Sequence, residues 1–216
     1  MIVPKKAGIV FVVAGAVLIA SALSLFCYNQ REDAQAGQEA EILLTQVQDL
    51  ISEPQPSTAP TETIAGEETL PTEPLDPEMP VVTIDGYGYV GYLSIPGLEL
   101  ELPVMSEWDY DRLRVSPCRQ FGSSRTDDLV IAAHNYKHHF GNLSQLGPGD
   151  PLYFTDMDGI ETEYAVYSVE ILSPESVDAV QNSGHDLVLY TCTYGGKTRV
   201  VAFCDRSAQQ NVQDVS

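Results

Sequence analysis

From Ala7 to Cys27 the chain reads AGIVFVVAGAVLIASALSLFC, 21 residues without a single charge. At about 1.5 Å of rise per residue, such a run covers the roughly 30 Å hydrocarbon core of a bilayer. A helix satisfies every backbone polar group internally, which lipid demands. Lys5 and Lys6 precede the run, and Arg31, Glu32 and Asp33 follow it. The pattern predicts a membrane helix over residues 7–28, a cytoplasmic tail over residues 1–6, and everything after Tyr28 outside the cell. The competing reading is a cleaved signal peptide, because Ala20-Ser21-Ala22 offers a small-x-small site. The apolar run continues through Leu23, Leu25 and Phe26, beyond that site, which favours an uncleaved anchor. Bulky Leu25 and Phe26 also disfavour lipid attachment at Cys27.

The next piece, residues 29–80, reads as an acidic stalk. Twelve Asp or Glu and no Lys or Arg lie between Glu32 and Pro80. Ala34 to Ile51 has the period of one amphipathic helix, with Ile42, Leu43, Val47 and Leu50 on one side. Seven prolines from Pro54 to Pro80 then leave too few large apolar groups to offset ordering entropy. The segment is expected to be extended and to act as a spacer. Across the whole chain the formal net charge is −20. Nucleic-acid binding is excluded, since a phosphate-binding surface needs clustered cations.

Residues 81–210 read as one mainly all-β domain, followed by a short tail over residues 211–216. Candidate strands are Tyr89–Ile95, Leu98–Val104, Leu129–Ala133, Pro151–Thr155, Glu163–Leu172, Leu187–Thr191 and Arg199–Cys204. Ile95-Pro96-Gly97 and Asp158-Gly159 are turn signals. Short helical stretches are expected at Trp108–Leu113, Gly141–Leu146 and Ser176–Gln181. Many short strands at this spacing favour a closed barrel or a sandwich.

Three of the four cysteines lie in this domain. An extracellular location permits Cys118 and Cys204 to form a disulfide, leaving Cys192 as the odd thiol. Cys192 ends the apolar strand Leu187-Val188-Leu189-Tyr190-Thr191. The turn Thr193-Tyr194-Gly195-Gly196-Lys197 then returns the chain, so that Arg199 comes to lie beside Cys192 on the neighbouring strand. A guanidinium there can orient a carbonyl or stabilise the oxyanion formed by thiolate attack. Leu129-Val130-Ile131-Ala132-Ala133 is a second apolar strand, ending on His134-Asn135. An imidazole near Cys192 can tune the thiol and protonate a departing amine.

The combination resembles the sortases, membrane-anchored transpeptidases of Gram-positive cell surfaces. Their T-L-x-T-C signature reads here as Val188-Leu189-Tyr190-Thr191-Cys192, with Val in place of the first Thr, followed by Arg199. The family's upstream histidine matches Ala133-His134-Asn135. The opening strand Gly91-Tyr92-Leu93-Ser94-Ile95-Pro96 and the later Leu102-Pro103-Val104 are also similar. The resemblance implies a closed eight-stranded β-barrel and a site of Cys192 as nucleophile, His134 as general acid/base and Arg199 as substrate or oxyanion stabiliser. It also implies contacts to substrate from Thr191, Asn135 and the backbone N–H of Thr193. The implied substrate is an LPxTG-like sorting signal of a surface protein. The acceptor would be an amine of a peptidoglycan precursor or of a pilin lysine. No second apolar helix follows the domain, Asp76-Pro77 is followed by Glu78 rather than an aromatic residue, and Ser173–Asp186 is short. A single-anchor enzyme of the class A or class D type fits these features.

Rival readings remain. His134 and His138 have a zinc-like spacing, but Gly141 and the preceding strand argue against the helix that spacing needs. No cofactor is expected, although Asp156-Met157-Asp158-Gly159 leaves room for weak calcium binding on a loop. An L,D-transpeptidase would place its histidine a few residues before the cysteine rather than at His134. A stalked binding or adhesion module would not require Cys192, His134 and Arg199 to converge.

Overall fold

A computed structural model describes residues 5–52 and 75–207. The first element, α1 (Lys5–Ser52), is one continuous helix of 48 residues. Its apolar first half is long and apolar enough to cross a membrane, and none of that window is buried against protein. Nine strands follow: β1 (Val82–Ile84), β2 (Tyr87–Ile95), β3 (Leu100–Met105), β4 (Cys118–Phe121), β5 (Leu129–Ala132), β6 (Pro151–Asp156), β7 (Glu161–Leu172), β8 (Leu187–Cys192) and β9 (Arg199–Arg206), with a short helix α2 (Val177–Gln181) before β8. The sheet order is β1-β2-β3-β4-β5-β8-β9-β7-β6, and β2 also pairs with β6. That last pairing closes a ring of eight strands, with β1 added to the edge of β2. The β-barrel expected from the sequence is therefore present.

Closure depends on a close backbone approach. Gly91 on β2 lies opposite Asp156 on β6, at φ +146°, and a Cβ there would come within 2.0 Å of the Thr155 carbonyl oxygen. Only glycine permits that contact. Two parallel pairings, β3 with β4 and β5 with β8, interrupt an otherwise antiparallel ring. The loop after β5 folds back and packs Phe140, Leu143 and Leu146 into the interior with Leu93, Leu129 and Leu189.

Several elements differ from expectation. β1 and β4 have no clear sequence signal, since Val82–Ile84 is three residues long and Cys-Arg-Gln-Phe has little alternation. The stretch expected to be helical over Trp108–Leu113 contributes to only one 3-10 turn, Arg112–Arg114, and that over Gly141–Leu146 to another, Leu143–Gln145. Strand β3 starts at Leu100 because Pro96–Leu98 forms a 3-10 turn ended by Glu99 at φ 54°.

Two larger corrections concern the stalk and the cysteines. The helix expected over Ala34–Ile51 does not project as a spacer but lies on the barrel. Ala36, Ala40 and Val47 are buried, and Leu43, Leu50 and Ile51 pack on Tyr89, Met105 and Met157. Ile42, expected on the same side as Leu43, Val47 and Leu50, is 61% exposed. The extended segment expected beyond it falls largely on residues 53–74, outside the described residues, as does the tail over 211–216. The Cys118–Cys204 disulfide is absent, both thiols being free and buried. Cys118 on β4 packs in the cluster beneath α1, whereas Cys204 on β9 faces the barrel interior. Burial pushes both thiols up to about 12.

Candidate active site

Side chains alternate along β8. Leu187 and Leu189 enter the barrel core, while Val188 and Tyr190 join an outer cluster with Val130, Val201 and Phe203. Cys192 continues the Val188–Tyr190 face at the rim and is half-buried. It stands directly opposite Arg199 in the β8–β9 ladder, so the two side chains share a face. The Arg199 guanidinium donates to the carbonyls of Gly196 and Thr198, each at 3.1 Å, which holds it against the turn.

His134 arrives from the other side. β5 and β8 run parallel, with Ala132 in register with Tyr190. Beyond that pair the Ala133 N–H donates to the Tyr190 carbonyl at 3.2 Å, and the Thr191 hydroxyl donates to the Ala133 carbonyl at 2.9 Å. Two residues further along each strand, His134 and Cys192 reach the same rim. The His134 ring sits below the ordinary histidine pKa because burial, and then the Arg114 cation, disfavour its charged form. The Glu32 carboxylate on α1 opposes them. The resting imidazole is thus held neutral near pH 7, the form that accepts a proton.

Helix α1 covers the His134 loop. The Tyr136 ring lies 5.0 Å from that of His134 and 5.5 Å from that of His139. His139 is fully buried and neither ring nitrogen has a partner. The Asp33 carboxylate on α1 accepts from the His138 N–H at 3.2 Å and lies 3.3 Å from His138 Nδ1. At Gly37 the helix comes so close that a Cβ would be 2.8 Å from His138 Cγ. Nothing in the local sequence signals Asp33, Gly37 or Arg114 as neighbours of the His134 loop, because those contacts span about 20 to 105 positions.

On the other side of Arg199 lies a groove of about 130 Å³, bounded by Phe121, Leu172, Val180, Tyr190 and Val201. Gln120, Ser173 and Ser176 add polar groups to its wall, and the Tyr190 hydroxyl donates to the Gln120 side chain. Such a groove can take an extended peptide with apolar side chains next to the thiol.

Two expected substrate contacts are corrected. Thr191 is buried with its hydroxyl committed to Ala133, so it ties β8 to β5 and does not face the groove. The Thr193 N–H donates to the Thr198 carbonyl at 3.0 Å, closing the turn, and is not free for an oxyanion. Asn135 lines a cleft against α1. Among the described residues no group of three or more metal-ligating side chains exists. The Asp156 and Asp158 carboxylates that left room for calcium are bridged by Arg125, at 2.7 and 2.6 Å.

Fold and site define a class: a closed β-barrel with a half-exposed cysteine at the end of one strand, an arginine across the ladder and a histidine just beyond the end of the parallel neighbour. The Sortase domain family model matches residues 93–207, and the chain belongs to the sortase family. Sortase A of Bacillus anthracis is 28% identical over 121 residues, which are 53% of this chain and 57% of that protein. The chain thus matches little more than half the length of this curated relative. Among solved structures, sortase A from Corynebacterium diphtheriae superposes with a TM-score of 0.52 at 22% identity, covering 62% of this chain and 64% of the other. Sortase C1 from Streptococcus agalactiae gives 0.51 at 25% identity, covering 59% and 72%.

Proposed function

We propose that this protein is a membrane-anchored cysteine transpeptidase acting on LPxTG-like sorting signals, with residues 81–210 as its catalytic unit. The observation that carries the reading is the strand register that sets Cys192 opposite Arg199, with His134 two residues beyond the end of β5, the parallel neighbour of β8. Cys192 sulfur attacks the carbonyl carbon of the Thr–Gly bond as neutral His134 takes the thiol proton. Arg199 stabilises the oxyanion. The C–N bond then breaks, the imidazolium returns its proton to the departing Gly amine, and a thioester remains on Cys192. An incoming amine, from a peptidoglycan precursor or a pilin lysine, attacks that carbonyl. It releases its proton through His134 to the leaving sulfur.

The groove beside Arg199, with Phe121, Leu172, Val180 and Val201 in its wall, supports binding of the Leu-Pro portion of such a signal. The uncharged half of α1 and the flanking lysines support a single-pass anchor with a cytoplasmic N-terminus and an extracellular barrel. Cys192→Ala is expected to abolish cleavage of a peptide library varied around LPxTG while leaving the circular dichroism spectrum unchanged. Retained turnover by the folded variant would overturn the assignment.

A further inference from the structure

The cations of this acidic chain are not evenly spread. Among the described residues, Arg112, Arg119, Arg125 and Arg206 are each paired with a carboxylate. Arg31, Arg114, Lys137, Lys197 and Arg199 have no carboxylate within ion-pair distance among the described residues. All five lie toward one end of the barrel. Arg199 stands opposite Cys192, Lys197 is in the turn between them, Lys137 is in the His134 loop, and Arg114 acts on both His134 and Tyr28 of α1. Lys137 and Lys197 are exposed, and they are the only lysines of the barrel.

The same end carries exposed aromatic rings. Tyr194, at the tip of the turn, is 95% exposed, and Phe26 and Tyr28 on α1 are 60% and 58% exposed. Phe26 shares one cleft, of about 390 Å³, with Asn135, Tyr136, Lys137 and Tyr194. Phe26 belongs to the apolar run, so the lip of this cleft and the end of that run are at one level. The connection between them is rigid. Asp33, which grips the His134 loop, is only six residues beyond Cys27, about 9 Å along an unbroken helix.

We propose that the catalytic end of the barrel rests on the bilayer surface, with Lys137, Lys197 and Arg31 among anionic lipid headgroups and Tyr194 in the interfacial layer. This rests on the reading of residues 7–28 as a membrane span. Free cations beside exposed aromatic rings are the composition that suits the headgroup region, where the cation meets phosphate and the ring spans the polar–apolar boundary. The Glu32 and Asp33 carboxylates on this face keep their charge but are partly buried, accepting from the Tyr28 hydroxyl and the His138 N–H. The consequence is that the thiol meets its peptide and its acceptor within the headgroup layer, so both must be membrane-borne or approach along the surface.

The test uses the full chain reconstituted in vesicles of phosphatidylcholine with added phosphatidylglycerol. Trp108 is the only native tryptophan, so Tyr194→Trp adds one reporter whose emission is read against the parent chain. Brominated lipids are expected to quench about half of the added emission, as for an interfacial ring. A Gly-Ser-Gly-Ser-Gly insertion between Gln30 and Arg31 is expected to relieve that quenching while the chain still floats with the vesicles. Acylation of Lys137 and Lys197, followed by mass spectrometry, is expected to slow severalfold with anionic lipid. No quenching in a chain that floats would overturn the apposition and leave the anchor intact, whereas a chain that fails to float would overturn both. Protection of the two lysines by soluble polyphosphate but not by vesicles would also overturn it, in favour of an anionic polymer as the partner.

Discussion

His139 shows how one residue couples the α1 contact to pH. Burial first, and then the neighbouring His134, hold its pKa down to about 4 against an ordinary 6.5. The folded protein therefore binds the proton less well than the unfolded chain does. The associated stability is fully present above pH 6.5 and is lost as pH falls toward 4. About 3 kcal/mol is at stake over that window. Chemical denaturation from pH 7 to 5 should show His139→Leu losing most of the parent's decline. The cysteines give a second residue-scale expectation. Iodoacetamide should label Cys192 in the native chain, and Cys118 and Cys204 only after unfolding, with no difference between reduced and unreduced samples. Prior labelling resistance that disappears on reduction would contradict the free thiols. The placement of Cys192, Arg199 and His134 at one rim was legible because each lies at, or two residues beyond, the end of a strand with a clear apolar pattern. The roles of Thr191 and Thr193 were not, because a hydroxyl or N–H in a turn is committed by its neighbours in space, here Ala133 and Thr198.

At the scale of elements, α1 does two things that its sequence separates. Residues 7–27 carry no charge, the composition of a candidate membrane span. The second half uses Ala36, Gly37 and Ala40 to approach the barrel closely, ahead of the larger Val47 contact. A helix that docks through small residues has a weak hydrophobic signature, so Ile42 stood out on the apolar side in the sequence and Ala36 did not. Gly37→Val tests the docking. The substitution improves intrinsic helix propensity slightly, yet its side chain collides with His138. Unfolding should cost about 1–3 kcal/mol less than in the parent, and peptide cleavage should fall severalfold as the His134 loop loosens. A variant as stable and active as the parent would show that α1 does not position this loop.

At the scale of the whole molecule, one guanidinium joins three distant segments. Arg125, in the β4–β5 loop, donates to the buried Asp156 carboxylate, to Asp158 in the β6–β7 turn, and to the carbonyls of Asp76 and Glu78. Arg125→Ala leaves Asp156 as an unpaired buried charge and should destabilise the protein by about 3–5 kcal/mol in urea unfolding. Arg125→Met with Asp156→Asn should recover much of that loss, because removing both charges spares the desolvation cost. The network also commits the Asp156 and Asp158 carboxylates of the acidic turn to Arg125, which spacing did not show. By itself the sequence determined the apolar span, the alternation of most strands, and the cysteine, histidine and arginine that end them. These are local properties, set by the period of the side chains along the backbone. Only the tertiary structure decided where α1 lies, which thiols stay free, which cations keep no carboxylate, and that the stalk begins as a cover for the His134 loop. Those outcomes depend on contacts between residues far apart in the chain, whose energies arise only once the barrel has closed.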